Sequence, residues 1–162
     1  MNSISRGRPR RFVVTSLSSD AHTWNLVFLQ LFLEERGGQV LNLGACTPDD
    51  LIITECRKAR PDVLVVSTVN GHGHIDGNRL IRKIRQDAEL ADMYAVIGGK
   101  LGISGDSDAH FGVELMAAGF DATFEATTAR SDELVSFLEC LAVGPVGRRM
   151  LSASEARGGH AA

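Results

Sequence analysis

Short apolar segments alternate with helix-type patterns along this chain, and that alternation restricts the fold more than any other feature of the sequence. The segment from Val63 to Ser67 is almost continuously apolar, which is typical of a central parallel strand that is covered on both faces. Strands are predicted at 12–17, 39–43, 63–67, 93–97 and 122–124. Helices are predicted at 23–36, 47–59, around 80–84, around 111–116 and at 131–141.

This order of elements predicts an α/β fold with a doubly wound, five-stranded parallel sheet of the flavodoxin-like (Rossmann-like) type, with strand order 2-1-3-4-5. In such sheets, ligands bind beyond the carboxyl ends of the strands at the topological switch point. The polar and glycine-rich segments fall at that edge: 18–25, 67–77, 98–107 and 125–130. Four loops at one edge predict a site for a ligand larger than an ion.

The first predicted helix is unusually apolar. One stripe comprises Trp24, Val27, Phe28, Leu31 and Phe32, and three leucines widen it beyond an ordinary face: Leu26, Leu29 and Leu33. Such a helix is expected to be deeply buried or covered by another chain.

Charge divides the 162 residues into three predicted parts. Residues 1–11 contain four arginines and no acid, and 144–162 are rich in Gly, Ala, Ser and Arg, so both ends are predicted to be disordered. Residues 12–143 are predicted to form the single domain. Since the chain has 20 acidic and 17 basic side chains, and seven of the basic ones lie in the two ends, the domain is acidic and is not expected to bind nucleic acid.

No apolar run approaches the roughly 18 residues that span a bilayer, so no membrane segment is predicted. Three cysteines, Cys46, Cys56 and Cys140, have no CxxC spacing. An odd number without such spacing favours free thiols in the cytoplasm over a disulfide framework.

Asp20 and His22, just after the first strand, form the first candidate site. A carboxylate two residues from a histidine can hold one ring nitrogen while the other faces a metal. A helix-capping aspartate beside an ordinary histidine has the same sequence, so the pattern alone is weak. Because His72, His74 and His110 lack zinc-type spacing, a macrocycle that takes one protein ligand suits a lone histidine better.

Ser67 and the Gly98-Gly99 pair are the other candidates. The Ser67 hydroxyl can bond a buried ligand group, but no G-x-S-x-G nucleophile elbow surrounds it. The two glycines allow a ligand to approach the backbone closely, although a plain turn has the same sequence. No phosphate loop and no G-x-G-x-x-G follow the first strand, which disfavours nucleotide triphosphates and dinucleotides.

Together these clusters resemble the cobalamin-binding domain of corrinoid enzymes that hold the cofactor base-off with a histidine ligand. That family has D-x-H-x-x-G after the first strand, S-x-L after the third and G-G after the fourth. This sequence has Asp20-Ala21-His22, Ser67-Thr68-Val69 and Gly98-Gly99 in the same order. The likeness covers about residues 12–141 and is greatest to the small subunits of glutamate mutase (methylaspartate mutase).

The resemblance implies adenosylcobalamin as the cofactor, with His22 as the lower axial ligand of cobalt and Asp20 behind it. The cofactor-binding residues that it implies are Ser19, Asp20, Ala21, His22, Thr23, Ser67, Thr68, Val69, Gly98, Gly99, Lys100, Leu101, Gly102, Ile103 and Ser104. It also implies a large TIM-barrel mutase subunit as the partner that holds the substrate. The chain would then be one subunit, inactive alone, of an isomerase that converts glutamate to 3-methylaspartate.

Two positions depart from the family pattern. Asn25, preceded by Trp24, stands where the family has glycine, and Val69 replaces leucine. A side chain at position 25 is expected to crowd the nucleotide arm, so that the pocket is re-shaped or cobalamin binding is weakened or lost. The alternatives are a cobalamin-binding methyl carrier or sensor, or a flavodoxin-like module without cobalamin. Methyl carriers usually have a helical bundle ahead of this domain, and residues 1–11 are too short for one.

Overall fold

The computed structural model describes residues 8–102, 109–125, 136 and 139. Within them, five strands alternate with four helices: β1 (Arg11–Thr15), α1 (Trp24–Glu35), β2 (Gln39–Asn42), α2 (Asp49–Ala59), β3 (Val63–Thr68), α3 (Gly73–Gln86), β4 (Tyr94–Gly99), α4 (Ala109–Ala118) and β5 (Ala122–Glu125). Apart from residues 136 and 139, the predicted last helix and the 144–162 tail lie outside the described residues, as do residues 1–7.

The five strands form one parallel sheet in the order β2-β1-β3-β4-β5, which confirms the predicted flavodoxin-like fold. β1 pairs with β2 on one side and with β3 on the other, so the switch point lies between β1 and β3. β4 extends two residues further than predicted. Gly98 and Gly99 continue the ladder opposite Ser67 and Thr68, and the Lys100 N–H donates to the Thr68 carbonyl at 2.7 Å.

Each face of the sheet is covered by its own hydrophobic core, as the uninterrupted burial of β3 requires. On one face, Leu26, Leu29 and Leu33 of α1 pack in a core with apolar residues of β1, β3 and β4. On the other face, residues of α2, α3 and α4 pack in a larger core. The helices that follow β1 and β3 therefore leave the sheet on opposite sides.

Leu26, Leu29 and Leu33 form the side of α1 that faces the sheet. The sequence pattern predicts them only as an extension of the main apolar stripe. Most of the predicted stripe faces outward: Trp24 is 85% exposed, Leu31 is 60% exposed, and Val27 and Phe28 are also exposed. Of the two expectations for α1, deep burial therefore holds only for the leucine side among the described residues, and cover of the exposed side by another chain stays a prediction. None of the helices that the structure describes has the length and apolar character needed to span a bilayer.

Residues 8–11, which the sequence assigns to the basic arm, make defined contacts with Asp62. The Arg8 guanidinium donates to both Asp62 carboxylate oxygens at 2.9 and 2.6 Å, and the Arg11 N–H donates at 2.8 Å. Burial raises the pKa of Asp62, but these hydrogen bonds outweigh that effect and hold the pKa below its usual range. The arm is thereby joined to the start of β3.

The buried and the exposed apolar sides of α1 predict different losses of stability when a leucine is replaced by alanine. Leu33→Ala should lower the free energy of unfolding by about 2–5 kcal/mol, because Leu33 is fully buried and its removal leaves a cavity. Leu31→Ala, on the exposed side of the same helix, should change it by no more than about 0.5 kcal/mol. Urea denaturation of both variants measures this difference, and equal losses would contradict the observed orientation of α1.

Candidate functional site

Asp20 is the centre of the polar cluster at the carboxyl edge of the sheet. Its side chain is fully buried in the loop between β1 and α1. Oδ1 accepts a hydrogen bond from the His22 N–H at 3.0 Å, and Oδ2 accepts one from the Val69 N–H at 2.6 Å. Because Val69 directly follows β3, this one carboxylate joins the loops on both sides of the switch point.

Hydrogen bonds keep Asp20 ionised despite its burial. Burial alone raises the pKa of this carboxyl, because the charged form loses solvation. The backbone N–H groups of His22 and Val69, and then the side chains of His22 and Thr68, outweigh that effect and hold the pKa of Asp20 below its usual range. At neutral pH the carboxylate can therefore act only as an acceptor.

His22 presents one ring nitrogen outward. Its Nδ1 lies 2.7 Å from Asp20 Oδ1, and since the carboxylate is an acceptor, Nδ1 carries the proton. The His22 side chain is 61% exposed, and Nε2 has no hydrogen-bond partner within the described part of the chain. A carboxylate on one nitrogen and an open lone pair on the other is the arrangement of a histidine metal ligand.

A second polar network holds the same loop from the α2 and α3 side. Ser19 Oγ donates to the Asp76 carboxylate, and Asn70 Nδ2 donates to the Ser19 carbonyl at 2.8 Å. Arg79 donates to Asp76 at 2.9 Å and to Asp49 at 2.7 Å. The network ties together the loops that follow β1, β2 and β3.

Sequence reasoning missed Asp49 and Arg79 as parts of this site. Neither residue belongs to a motif that predicts a role at this edge of the sheet. The hydrogen bond to Asp49 raises the pKa of the Arg79 guanidinium further above its ordinary value. Thirty positions separate the two residues, so no local motif could have revealed the pair.

Asn25 and Ser67 are joined directly. The Asn25 amide donates from Nδ2 to the Ser67 hydroxyl, which links the first turn of α1 to the end of β3. Ser67 is 7% exposed and Asn25 is partly buried. The family resemblance predicts that a side chain at position 25 crowds the nucleotide arm. The structure shows in addition a hydrogen bond from Asn25 to Ser67 that the sequence does not predict.

Gly99 is required by the packing of the sheet itself, and Gly98 is tightly packed beside it. Gly99 has φ +112°, and a Cβ there would lie 1.8 Å from the Thr68 carbonyl oxygen. A Cβ on Gly98 would lie 3.3 Å from Phe124. The contact between strands thus explains Gly99 without a ligand, and the role of the pair in cofactor binding stays a prediction.

The remaining predicted residues are spread along the same edge. Ala21 and Thr23 are exposed on either side of His22, whereas Thr68 is fully buried. Lys100 is exposed, and Leu101 and Gly102 are buried. Ile103 and Ser104 lie outside the described residues.

Two other histidines, His74 and His110, make packing contacts with Phe111. His74 stacks on Phe111 with ring centroids 3.8 Å apart, and its Nδ1 lies 2.9 Å from the Leu101 carbonyl oxygen. His110 contacts the same Phe111 ring at 4.0 Å. Across the described ranges, no group of three or more His, Cys, Asp or Glu residues is arranged to hold a metal ion.

Similarity to known proteins decides the family. No protein-family model matches the sequence. The glutamate mutase sigma subunit of Halobacterium salinarum is 30% identical over 116 residues, which are 72% of this chain and 76% of that subunit. The chain belongs to the glutamate mutase sigma subunit family. The glutamate mutase sigma subunit of Fusobacterium nucleatum is 26% identical to this chain over 126 residues, which are 78% of this chain and 92% of that subunit.

Solved structures agree on the fold of this sigma-family chain. A cobalamin-binding protein from Desulfitobacterium hafniense superimposes with a TM-score of 0.61 at 16% sequence identity, over 81% of this chain. The matched region is 60% of that protein, so the chain spans about three-fifths of its length. At this identity the match supports the architecture alone.

The bonds of Asp20 predict a pH-dependent effect of its substitution. Asp20→Asn should lower the free energy of unfolding at pH 7 by about 1–3 kcal/mol, because an amide NH₂ would face donors that now meet an acceptor. Since the pKa of Asp20 is lowered in the folded chain, its contribution is present above the unfolded value of about 3.9 and is lost as the pH falls through the folded value.

Urea denaturation at pH 7 and at pH 3 measures the effect. The deficit of Asp20→Asn should be smaller at pH 3, and Asp92→Asn, at an exposed aspartate, should have little effect at either pH. A deficit of the same size at both pH values would contradict the assigned hydrogen bonds.

Proposed function

We propose that this chain is the cobalamin-holding subunit of an adenosylcobalamin-dependent carbon-skeleton mutase of the glutamate mutase type, with His22 as the lower axial ligand of cobalt. The observation that carries the proposal is the buried Asp20 carboxylate, which holds His22 Nδ1 at 2.7 Å while Nε2 remains open. The sigma subunits to which the chain is similar support the mutase type.

The geometry suits a corrinoid better than a bare metal ion. A corrinoid ring supplies four equatorial nitrogens, so the protein needs to supply only one nitrogen from below. His22 is 61% exposed at the sheet edge, which leaves room for a planar ring above the loop. Asp20 fixes the ring tautomer and the orientation of His22, so that Nε2 is the nitrogen available to the metal.

In this proposal the nucleotide arm of cobalamin lies in the crevice between α1 and the sheet. Ser67, Val69 and residues 98–104 would line that crevice, and Ala21 and Thr23 would contact the ring beside His22. Ser19 and Thr68 would affect cofactor binding indirectly, by holding the residues around the crevice in place. Ser19 is bonded to Asp76 and Asn70, and Thr68 is fully buried against the β4 backbone.

The chain's own task is to hold and orient the cofactor. When bound, adenosylcobalamin supplies radical chemistry through homolysis of its cobalt–carbon bond. Substrate binding, with glutamate and 3-methylaspartate as the expected pair, is assigned to a large TIM-barrel subunit that closes over the upper face. Residues 20–23 would set the height and tilt of the ring relative to that partner.

Electron paramagnetic resonance of the cob(II)alamin complex tests the axial ligand. Nitrogen hyperfine coupling should change when the protein is labelled with nitrogen-15, because the nitrogen comes from His22. His22→Ala should abolish that dependence, and Asp20→Asn should weaken cofactor retention on the order of 10–100-fold, as loss of a partner behind a metal-bound histidine does.

His72→Ala provides the matched control, because His72 is an exposed histidine on the loop that follows β3. That variant should retain both the coupling and the cofactor. A coupling that ignores the protein label would overturn the ligand assignment.

Activity with a partner tests the mutase type. The chain with adenosylcobalamin should isomerise glutamate only after addition of a glutamate mutase large subunit. Tight cobalamin binding through His22 without such activity would favour the methyl-carrier or sensor alternative. Isomerisation by this chain alone would contradict the proposed division between the subunits.

A further inference from the structure

Two hydrogen bonds cross the crevice at the switch point between β1 and β3. In a doubly wound sheet this crevice is where a ligand enters, because the helices after the two strands leave on opposite faces. Nearest the rim, Asp20 Oδ2 accepts the Val69 N–H at 2.6 Å. On the α1 side, the Asn25 amide donates to the Ser67 hydroxyl.

The two bonds differ in kind. The Asp20 bond ends on the backbone, so it persists whatever side chain position 69 carries. The bond between Asn25 and Ser67 joins two side chains, one on α1 and one at the end of β3. It therefore depends wholly on these two residue types, and glycine at position 25 would leave the same space open.

The Asn25 bond spans the space between the first turn of α1 and the end of β3. Just inward of Asn25, Leu26 and Leu29 of α1 are buried in the same core as Val65 of β3. A group that enters between α1 and β3 at the level of Asn25 and Ser67 must separate the amide from the hydroxyl. It must then bond both groups itself or leave buried polar atoms unpaired.

We propose that Asn25 is a specificity-determining residue, whose bond to Ser67 lowers the affinity of this chain for cobalamin relative to corrinoids without the lower nucleotide, while cobalamin can still bind once that bond is broken. The inference rests on the proposed function. His22 reaches the ring from the loop outside the crevice, so axial ligation needs no opening between α1 and β3. The nucleotide arm of cobalamin needs that opening, whereas cobinamide, which is the same corrin ring without the nucleotide, does not.

The expected difference in affinity between cobalamin and cobinamide follows from the hydrogen bond that must be broken. Loss of one neutral hydrogen bond, with both partners left partly buried, changes an affinity on the order of tenfold. The quantity to compare is the ratio of the dissociation constants for cobalamin and cobinamide, because effects of Asn25 on general stability cancel in it. Asn25→Ala should lower that ratio about tenfold, in favour of cobalamin.

Equilibrium dialysis of the full chain against hydroxocobalamin and against diaquocobinamide, with visible spectra of each complex, measures the ratio. Asn25→Gly should shift the ratio in the same direction as Asn25→Ala, although a glycine in the first turn also lowers helix stability. Gln30→Ala is the matched control. Gln30 is another amide on α1 that bonds a strand residue, but its partner is Asn42 of the edge strand β2.

The outcomes separate this inference from the proposed function. A tenfold shift in Asn25→Ala with no shift in Gln30→Ala supports the inference. If both corrinoids gain an axial nitrogen from the protein but Asn25→Ala leaves the ratio within about twofold of the wild type, the inference alone is overturned. The same holds if Gln30→Ala shifts the ratio equally. If neither corrinoid gains a protein nitrogen, the proposed function fails and the inference fails with it.

Discussion

The candidate site depends on one buried carboxylate that bridges the switch point. Asp20 accepts N–H groups from its own loop and from the chain beyond β3, and it orients the imidazole of His22. Its own carbonyl accepts the Cys46 N–H at 2.8 Å, which adds the loop after β2. An unpaired carboxylate in this position would be costly to bury, so the hydrogen bonds that stabilise it also fix the loops that carry His22.

Paired charge is also what allows the acidic domain to bury carboxylates beside the site. Asp49 and Asp76 are both buried, and Arg79 spans them. Burial raises the pKa of Asp49, but the hydrogen bonds and charges of Arg79 and Lys83 outweigh it and leave the pKa below its usual range. The loop that holds Ser19 is thereby fixed from the α2 and α3 side of the sheet.

The positions that define the family pattern have two roles in this chain. Ser67 is both a predicted ligand contact and the acceptor of the Asn25 amide. Gly98 and Gly99 are predicted at a ligand contact, and Gly99 is also required where β4 meets β3. A shared fold supplies such positions, and the function depends on which side chains occupy them. Asn25 is the position at which this chain differs from the pattern and makes a contact of its own.

Local patterns in the sequence predict the described strands and helices, their parallel arrangement and the proximity of Asp20 to His22. The apolar run of β3, the helical spacings and a separation of two residues are local patterns, and local sterics and burial suffice to interpret them. Which side of α1 faces the sheet is visible only in the tertiary structure, because both sides of the helix are apolar at helical spacing and the sequence pattern does not distinguish them. The tertiary structure also decided the bonds of Asn25 to Ser67 and of Ser19 to Asp76, which join residues 42 and 57 positions apart. Such contacts depend on the register of the strands in the sheet, and no local spacing in the chain encodes that register.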